Sequence, residues 1–302
     1  MFGHILIPLD GSAAGEAAVG VGVFLAGRSG GRVTLLHLIE AEAPAAVHGE
    51  RHLRTAAEAE EYLRNLVARL VPAAIPVTCH VHAPLVHDVA DGIAQHMLEL
   101  APDLIVMSVH GSHGLRRLLF GDMAQQVAAR SQVPVILVRE PPQDHAFTGW
   151  KCVLIPHNTD SAHEDALPAG FEVARLCRAR THVVMAVETP GSVIGDGGAA
   201  TLLPSATRAV LELTGLDAER HLKKHCDEMQ AAGMTVTTEI CRGAIVPSIR
   251  KAAARVGADL IVLGTHGHAG TEAFWEGSIA ARICAGSDVS VMLVPAAHGP
   301  AE

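Results

Sequence analysis

The sequence predicts an α/β protein of two tandem domains, each a doubly wound sandwich around a five-stranded parallel sheet. Three observations carry this: the chain repeats itself, short apolar runs alternate with longer helical patterns, and the apolar residues are aliphatic. Ile5-Leu6-Ile7-Pro8-Leu9-Asp10 returns as Val153-Leu154-Ile155-Pro156-His157-Asn158, 148 positions later. Asp103-Leu104-Ile105-Val106-Met107 returns as Asp259-Leu260-Ile261-Val262-Leu263 at an offset of 156, as Gly111 and Gly121 do at Gly267 and Gly277. Val135-Ile136-Leu137-Val138 returns as Val291-Met292-Leu293-Val294. The growth in offset places an insertion early in the second copy, at the turn-rich Gly191–Gly198. Of 302 residues 49% are hydrophobic but only 3% aromatic, which suits strands covered on both faces by helices.

In the first copy the strand candidates are 4–9, 32–39, 75–82, 103–109 and 134–139, and the helical candidates 14–27, 52–71, 86–100 and 122–131. Met123, Val127 and Arg130 lie at helical spacing behind Asp122, read as an N-cap. Alternation at these lengths argues for right-handed crossovers and a parallel sheet. The domains are read as 1–140 and 151–295, joined by a linker at 141–150 that begins with the polar Pro141-Pro142-Gln143-Asp144-His145.

A net charge of −9 disfavours nucleic acid and anionic membranes, which need a basic surface. The N-terminus lacks the basic and apolar segments of a secretory signal, and the weakly polar stretch Ala17–Gly27 is about half the length of a membrane span. Cys79, Cys152, Cys177, Cys226, Cys241 and Cys284 form no Cys-x-x-Cys pair and read as buried thiols in a reducing compartment. The expectation is a soluble cytoplasmic protein.

In doubly wound sheets ligands bind at the carboxyl ends of strands where the winding reverses, so the loops after strands one and four carry the information. After strand four, copy two reads Leu263-Gly264-Thr265-His266-Gly267, nine residues, then Gly277-Ser278-Ile279 opening a helix. Glycines let backbone amides approach a ligand, and a helix N-terminus favours phosphate. A tight turn with an ordinary Ser N-cap explains the same residues.

These residues, with Pro8-Leu9-Asp10-Gly11-Ser12 after strand one, resemble the universal stress protein family, whose pattern is Gly-x-x-Gly, nine residues, Gly-Ser or Gly-Thr. The resemblance covers nearly the whole chain twice. It implies a tandem member with the universal-stress-protein-like, adenine nucleotide alpha hydrolase-like fold, and ATP as ligand, with or without Mg²⁺. By resemblance the residues lining the ligand in copy two are Pro156, His157, Asn158, Val187, Leu263, Gly264, Gly267, Gly277, Ser278 and Ile279. In copy one they are Pro8, Leu9, Asp10, Leu38, Met107, Gly111 and Gly121. The copies depart from the pattern in complementary ways. Copy one reads Ser108-Val109-His110-Gly111 and Gly121-Asp122, so a Cβ and a carboxylate stand where phosphate should approach. A carboxylate about 4 Å from a phosphate costs on the order of 4 kcal/mol at an effective dielectric near 20, although a bound Mg²⁺ reverses that sign. The register Gly111-Ser112-His113-Gly114 breaks the constant offset and is rejected. Copy two has Asn158 for the family Asp, a nearly isosteric change that keeps an acceptor. Copy two is therefore the expected ATP site.

Other signals are set aside. Gly20-Val21-Gly22 lies deep in a helix with Leu25 where a dinucleotide fingerprint needs a third glycine. Ser29-Gly30-Gly31 is a turn before strand two, and no Walker motif exists. Among nineteen histidines, His80 and His82 share a strand face and His221 and His225 a helix face, but neither pair has a clear third ligand, so no metal site is expected. His110 and His266 either contact phosphate or shape the turn, and Lys223-Lys224 reads as a solvated helix face. No nucleophile with a base, no Gly-x-Ser-x-Gly and no paired carboxylates appear. The expected function is a stress-response regulator that holds ATP without being an enzyme, hydrolysing it weakly at most. A nucleotide-free interaction scaffold and a slow ATPase are the alternatives. The family's dimer interface pairs last strands, so Pro134–Val138 and Ser290–Val294 are expected to pair within the chain, with a homodimer as a further option.

Overall fold

The computed structural model describes residues 1–109, 122–139, 147–157, 166–187, 223, 226–265, 278–285 and 287–296. In the first half β1 (His4–Pro8), α1 (Ala17–Ser29), β2 (Arg32–Glu40), the short β3 (Ala46–Val47) and β4 (Glu50–Arg51), α2 (Ala56–Leu70), β5 (Val77–Val86), α3 (Val89–Leu100), β6 (Leu104–Val109), α4 (Asp122–Arg130) and β7 (Val135–Arg139) follow one another. The second half has β8 (Cys152–His157), α5 (Ala166–Cys177), β9 (Arg180–Val187), β10 (Val236–Arg242), α6 (Ile245–Val256), β11 (Leu260–Thr265), α7 (Ile279–Ala285) and β12 (Ser290–Pro295). The order β5-β2-β1-β6-β7 in one half is matched by β10-β9-β8-β11-β12 in the other, and the two join into one ten-stranded sheet. Every pair in that sheet is parallel except β7 with β12. There Val291, Met292 and Leu293 lie opposite Leu137, Ile136 and Val135. The expected pairing of last strands is therefore present within the chain.

The repeat has physical reasons. Asp103 accepts hydrogen bonds from the amides of Gly3 and His4 at 2.9 and 2.8 Å, so it ties the start of β1 to β6. Asp259 does the same for Lys151 and Cys152 at 2.8 and 2.9 Å. Gly22 of α1 and Gly170 of α5 lie against Ile7 and Ile155 so closely that a Cβ would collide with the isoleucine side chains. The glycine inside α1 thus serves helix-to-strand packing, as its position implied. Local signals set the helix ends. Thr55 and Glu58 form a reciprocal capping box at α2, Asp88 caps α3 through the Asp91 amide, and Gly30 closes α1 in the left-handed region at φ 71°.

The two apolar layers run across both halves, one over each sheet face. Phe24 of α1 packs edge-on against Phe147, which packs against the buried Trp150. Arg28 donates to the Leu176 carbonyl at 2.9 Å. The chain N-terminus pairs with Glu172 at 3.6 Å. All six cysteines are free. Cys79, on edge strand β5, is exposed and Cys177 and Cys241 are only partly buried, which corrects the expectation of buried thiols; Cys152, Cys226 and Cys284 are buried as expected. No described helix is long and apolar enough to cross a membrane. The predicted insertion at 191–198 lies outside the described residues.

Candidate functional site

The winding of the first half reverses between β1 and β6, and a pocket opens at their carboxyl ends. Its core is about 170 Å³, within a wider concavity of about 850 Å³ open to solvent. Pro8, Leu9, Asp10, Leu38 and Met107, five of the seven residues assigned to copy one, line it together. Gly111 and Gly121 lie outside the described residues. Leu36, Leu38, Ile93 and Met107 make an apolar base, whereas Asp10, Glu40 and His48 bring polar groups. Ligand pockets combine an apolar lining with a few placed polar groups in this way.

The polar side is held by the turn after β1. The Asp10 carboxylate accepts from the Ser12 amide at 2.9 Å and from the Ser12 hydroxyl at 2.7 Å. Gly11 takes φ 87°, which a side chain rarely adopts. At Gly15 an added Cβ would lie 2.7 Å from Asp10 Oδ1, so this glycine keeps the pocket wall open. Ser108 donates to the Ala14 carbonyl at 2.8 Å, so its hydroxyl ties the end of β6 to the turn after β1.

Among the lining residues that sequence reading missed, three are polar: His37, Glu40 and His48. His37 donates from Nδ1 to the Leu9 carbonyl at 2.8 Å, and its buried Nε2 has no partner among the described residues. Burial holds its pKa below the ordinary imidazole value, so Nε2 presents a lone pair. Glu40 receives the buried His52 at 3.1 Å. His48, at the tip of the β3–β4 hairpin, brings Nε2 to 3.4 Å from Asp10 Oδ2. The signal for this hairpin was His48-Gly49, both with positive φ in the structure and suited to a two-residue turn.

In the second half Pro156 and His157 end β8, and Leu263 and Gly264 lie near the end of the adjacent β11. His157 and Leu263 are buried. Ser278 caps α7 by accepting from the Ala281 amide at 3.0 Å, which is the ordinary role weighed for it. Ile279 follows, 44% exposed, at the repeat position of the pocket-lining Met123. Asn158, Gly267, Gly277, His110, His221, His225 and His266 lie outside the described residues. One assignment needs correcting. Pro8 pairs with Leu36 and Pro156 with Val184, so the counterpart of Leu38 is Ala186. Val187 is one residue further on, and its side chain packs into the opposite layer. A slip of one residue reverses the face in a strand. Asp122 begins α4 rather than preceding it.

The fold and this crevice define a class: tandem doubly wound α/β domains, with a pocket at the switch point of the first half. A model of the universal stress protein family matches residues 1–139 and again 149–295. The chain belongs to the universal stress protein family. A universal stress protein of Archaeoglobus fulgidus DSM 4304 is similar in structure, with TM-score 0.67 and 18% identity over 98% of this chain and 99% of that one. A putative universal stress protein of Pseudomonas aeruginosa UCBPP-PA14 has TM-score 0.66 and 15% identity, covering 98% and 94%. A search of curated proteins found no match.

Proposed function

We propose that the chain is a stress-response regulator that binds adenine nucleotide, chiefly ATP in the second domain, and does not turn it over as its main task. The observation that carries the choice of domain is the spacing Gly264, Gly267, Gly277 and Ser278 in the second half. The first-domain pocket, where Pro8, Leu9, Asp10, Leu38 and Met107 meet at the switch point, supports a crevice at this place in the repeated strand order. Its core of about 170 Å³ is smaller than the roughly 300–1,000 Å³ of pockets for drug-sized ligands. It suits a base, with the remainder of a nucleotide lying toward the mouth. The Nε2 of His37, without a partner among the described residues, offers an acceptor to an amine or hydroxyl, and Asp10 offers a carboxylate.

The second domain repeats the same strand order and carries the glycine spacing Gly264, Gly267, Gly277 and Ser278 without the Ser108 and Asp122 departures. Pro156, His157 and Leu263 would hold the nucleoside end there, and the glycine loop the phosphates. Mg²⁺, when bound with ATP, would neutralise phosphate charge. Native mass spectrometry of protein incubated with Mg-ATP tests the reading. One added adenine nucleotide per chain is expected, and no adduct with ATP, ADP or AMP would remove the proposal.

A further inference from the structure

Far along the sheet, at its edge, the structure supplies what the sequence lacked for one histidine pair. We propose that His80, His82 and His96 form a binding site for a single divalent transition-metal ion, with Zn²⁺ as the ion of choice. His80 and His82 stand two apart on β5, the edge strand, and so share a face. Helix α3 brings His96 against that face. One ring nitrogen from each of the three lies within 4.8 Å of the others. Nitrogens bound to one tetrahedral Zn²⁺ at about 2.0–2.1 Å are separated by about 3.4 Å. His80 Nε2 and His96 Nε2 are already 3.1 Å apart. The partly exposed His82 ring lies edge-on to His96 with centroids 4.9 Å apart, and its nitrogen has to close from within 4.8 Å of the other two to about 3.4 Å to complete the set.

His96 is oriented as a metal ligand requires. It is 1% exposed, and its Nδ1 donates to the Gly92 carbonyl at 2.8 Å. That bond fixes the tautomer and leaves the Nε2 lone pair aimed at the other two rings. Metal-ligating histidines characteristically donate their second nitrogen to a carbonyl or carboxylate in this way. His80 and His82 are only half-buried, so water can reach a fourth coordination position. Imidazole ligands without thiolate suit Zn²⁺, Cu²⁺ or Ni²⁺, and Cys79 alternates away from this face.

The duplicated half serves as an internal control. Strand register places Glu239 and Cys241 at the positions of His80 and His82, and the helix offset places Ala252 at that of His96. Ala252 is fully buried. The fold therefore packs this position with a methyl group, and an imidazole there is not demanded by the architecture.

Metal-stripped protein titrated with Zn²⁺ against a chromogenic chelator tests the proposal, with Co²⁺ absorption as a report of coordination by nitrogen. One equivalent of Zn²⁺ per chain is expected. The His80→Gln, His82→Gln double variant changes only edge-strand side chains, and should weaken binding by more than the roughly 10–100-fold that loss of an outer partner costs. His96→Ala, which copies the second domain, should do the same with circular dichroism unchanged. Absence of Zn²⁺ binding at micromolar concentration in the wild-type protein overturns the proposal. So does wild-type affinity in the double variant, which would place the ion among other histidines.

Discussion

Replacing Gly170 by Ala sets helix propensity against packing, and the structure decides the sign. Ala in place of Gly inside a helix gains about 1 kcal/mol. The added Cβ, however, would sit 2.5 Å from Ile155 Cδ1, 3.0 Å from Ile155 Cγ1 and 3.5 Å from Val262 Cβ. Carbon atoms prefer about 3.5–4.0 Å, so the closest approach is short by about an ångström. Ile155 is fully buried, so neither it nor α5 can give way into open space. Overpacking of this kind costs about 1–3 kcal/mol, which outweighs the propensity gain. The net expectation is a loss of about 1 kcal/mol, read as a lower urea midpoint at unchanged slope. Ile155→Val removes the clashing Cδ1 and alone costs about 0.5–1.5 kcal/mol. Combined with Gly170→Ala it should cost less than the sum, with a favourable coupling of about 1 kcal/mol. A stabilised single variant, or strict additivity in the double, would refute the packing argument.

Asp103→Ala removes the acceptor for the amides of Gly3 and His4. The Gly3 amide can return to water, so about 1.5–3 kcal/mol should be lost through the other, and Asp259→Ala should match it in a denaturation series. The double change Ser108→Gly with Asp122→Ser should add a second nucleotide equivalent per chain in a binding titration, since it removes a Cβ and a charge from the first phosphate loop. Burial lowers the His37 pKa below its ordinary 6.5. The unfolded chain then takes up the proton first, so this contribution to stability is present above pH 6.5 and is lost as pH falls toward the folded value. His37→Gln should flatten that part of a midpoint-against-pH curve.

Much of the frame was legible because buried parallel strands are nearly continuous apolar runs. His4–Pro8, Arg32–Glu40 and Leu104–Val109 each fall within a residue or two of their predicted spans, and the repeat located their partners. The glycine inside α1 was legible as packing for the same reason. The β3–β4 hairpin was passed over, since two-residue strands carry no periodicity and His48-Gly49 was its one local mark. His96 was also hidden. A buried histidine at a core position of α3 reads like any amphipathic filling, and only the fold shows that His80 and His82 stand opposite it. Val187 was misassigned because the sheet pairing that fixes its face, with Pro156 opposite Val184, is not written in the local sequence.

The account's central claim is that the second domain holds the nucleotide through its glycine loop. Calorimetric titration with Mg-ATP of the wild-type chain, of Gly277→Val and of Met107→Trp, which fills the first-domain pocket, tests it most directly. The account predicts about one site per chain, lost in Gly277→Val and retained in Met107→Trp. Binding that survives in Gly277→Val and disappears in Met107→Trp would contradict it and assign the nucleotide to the first domain.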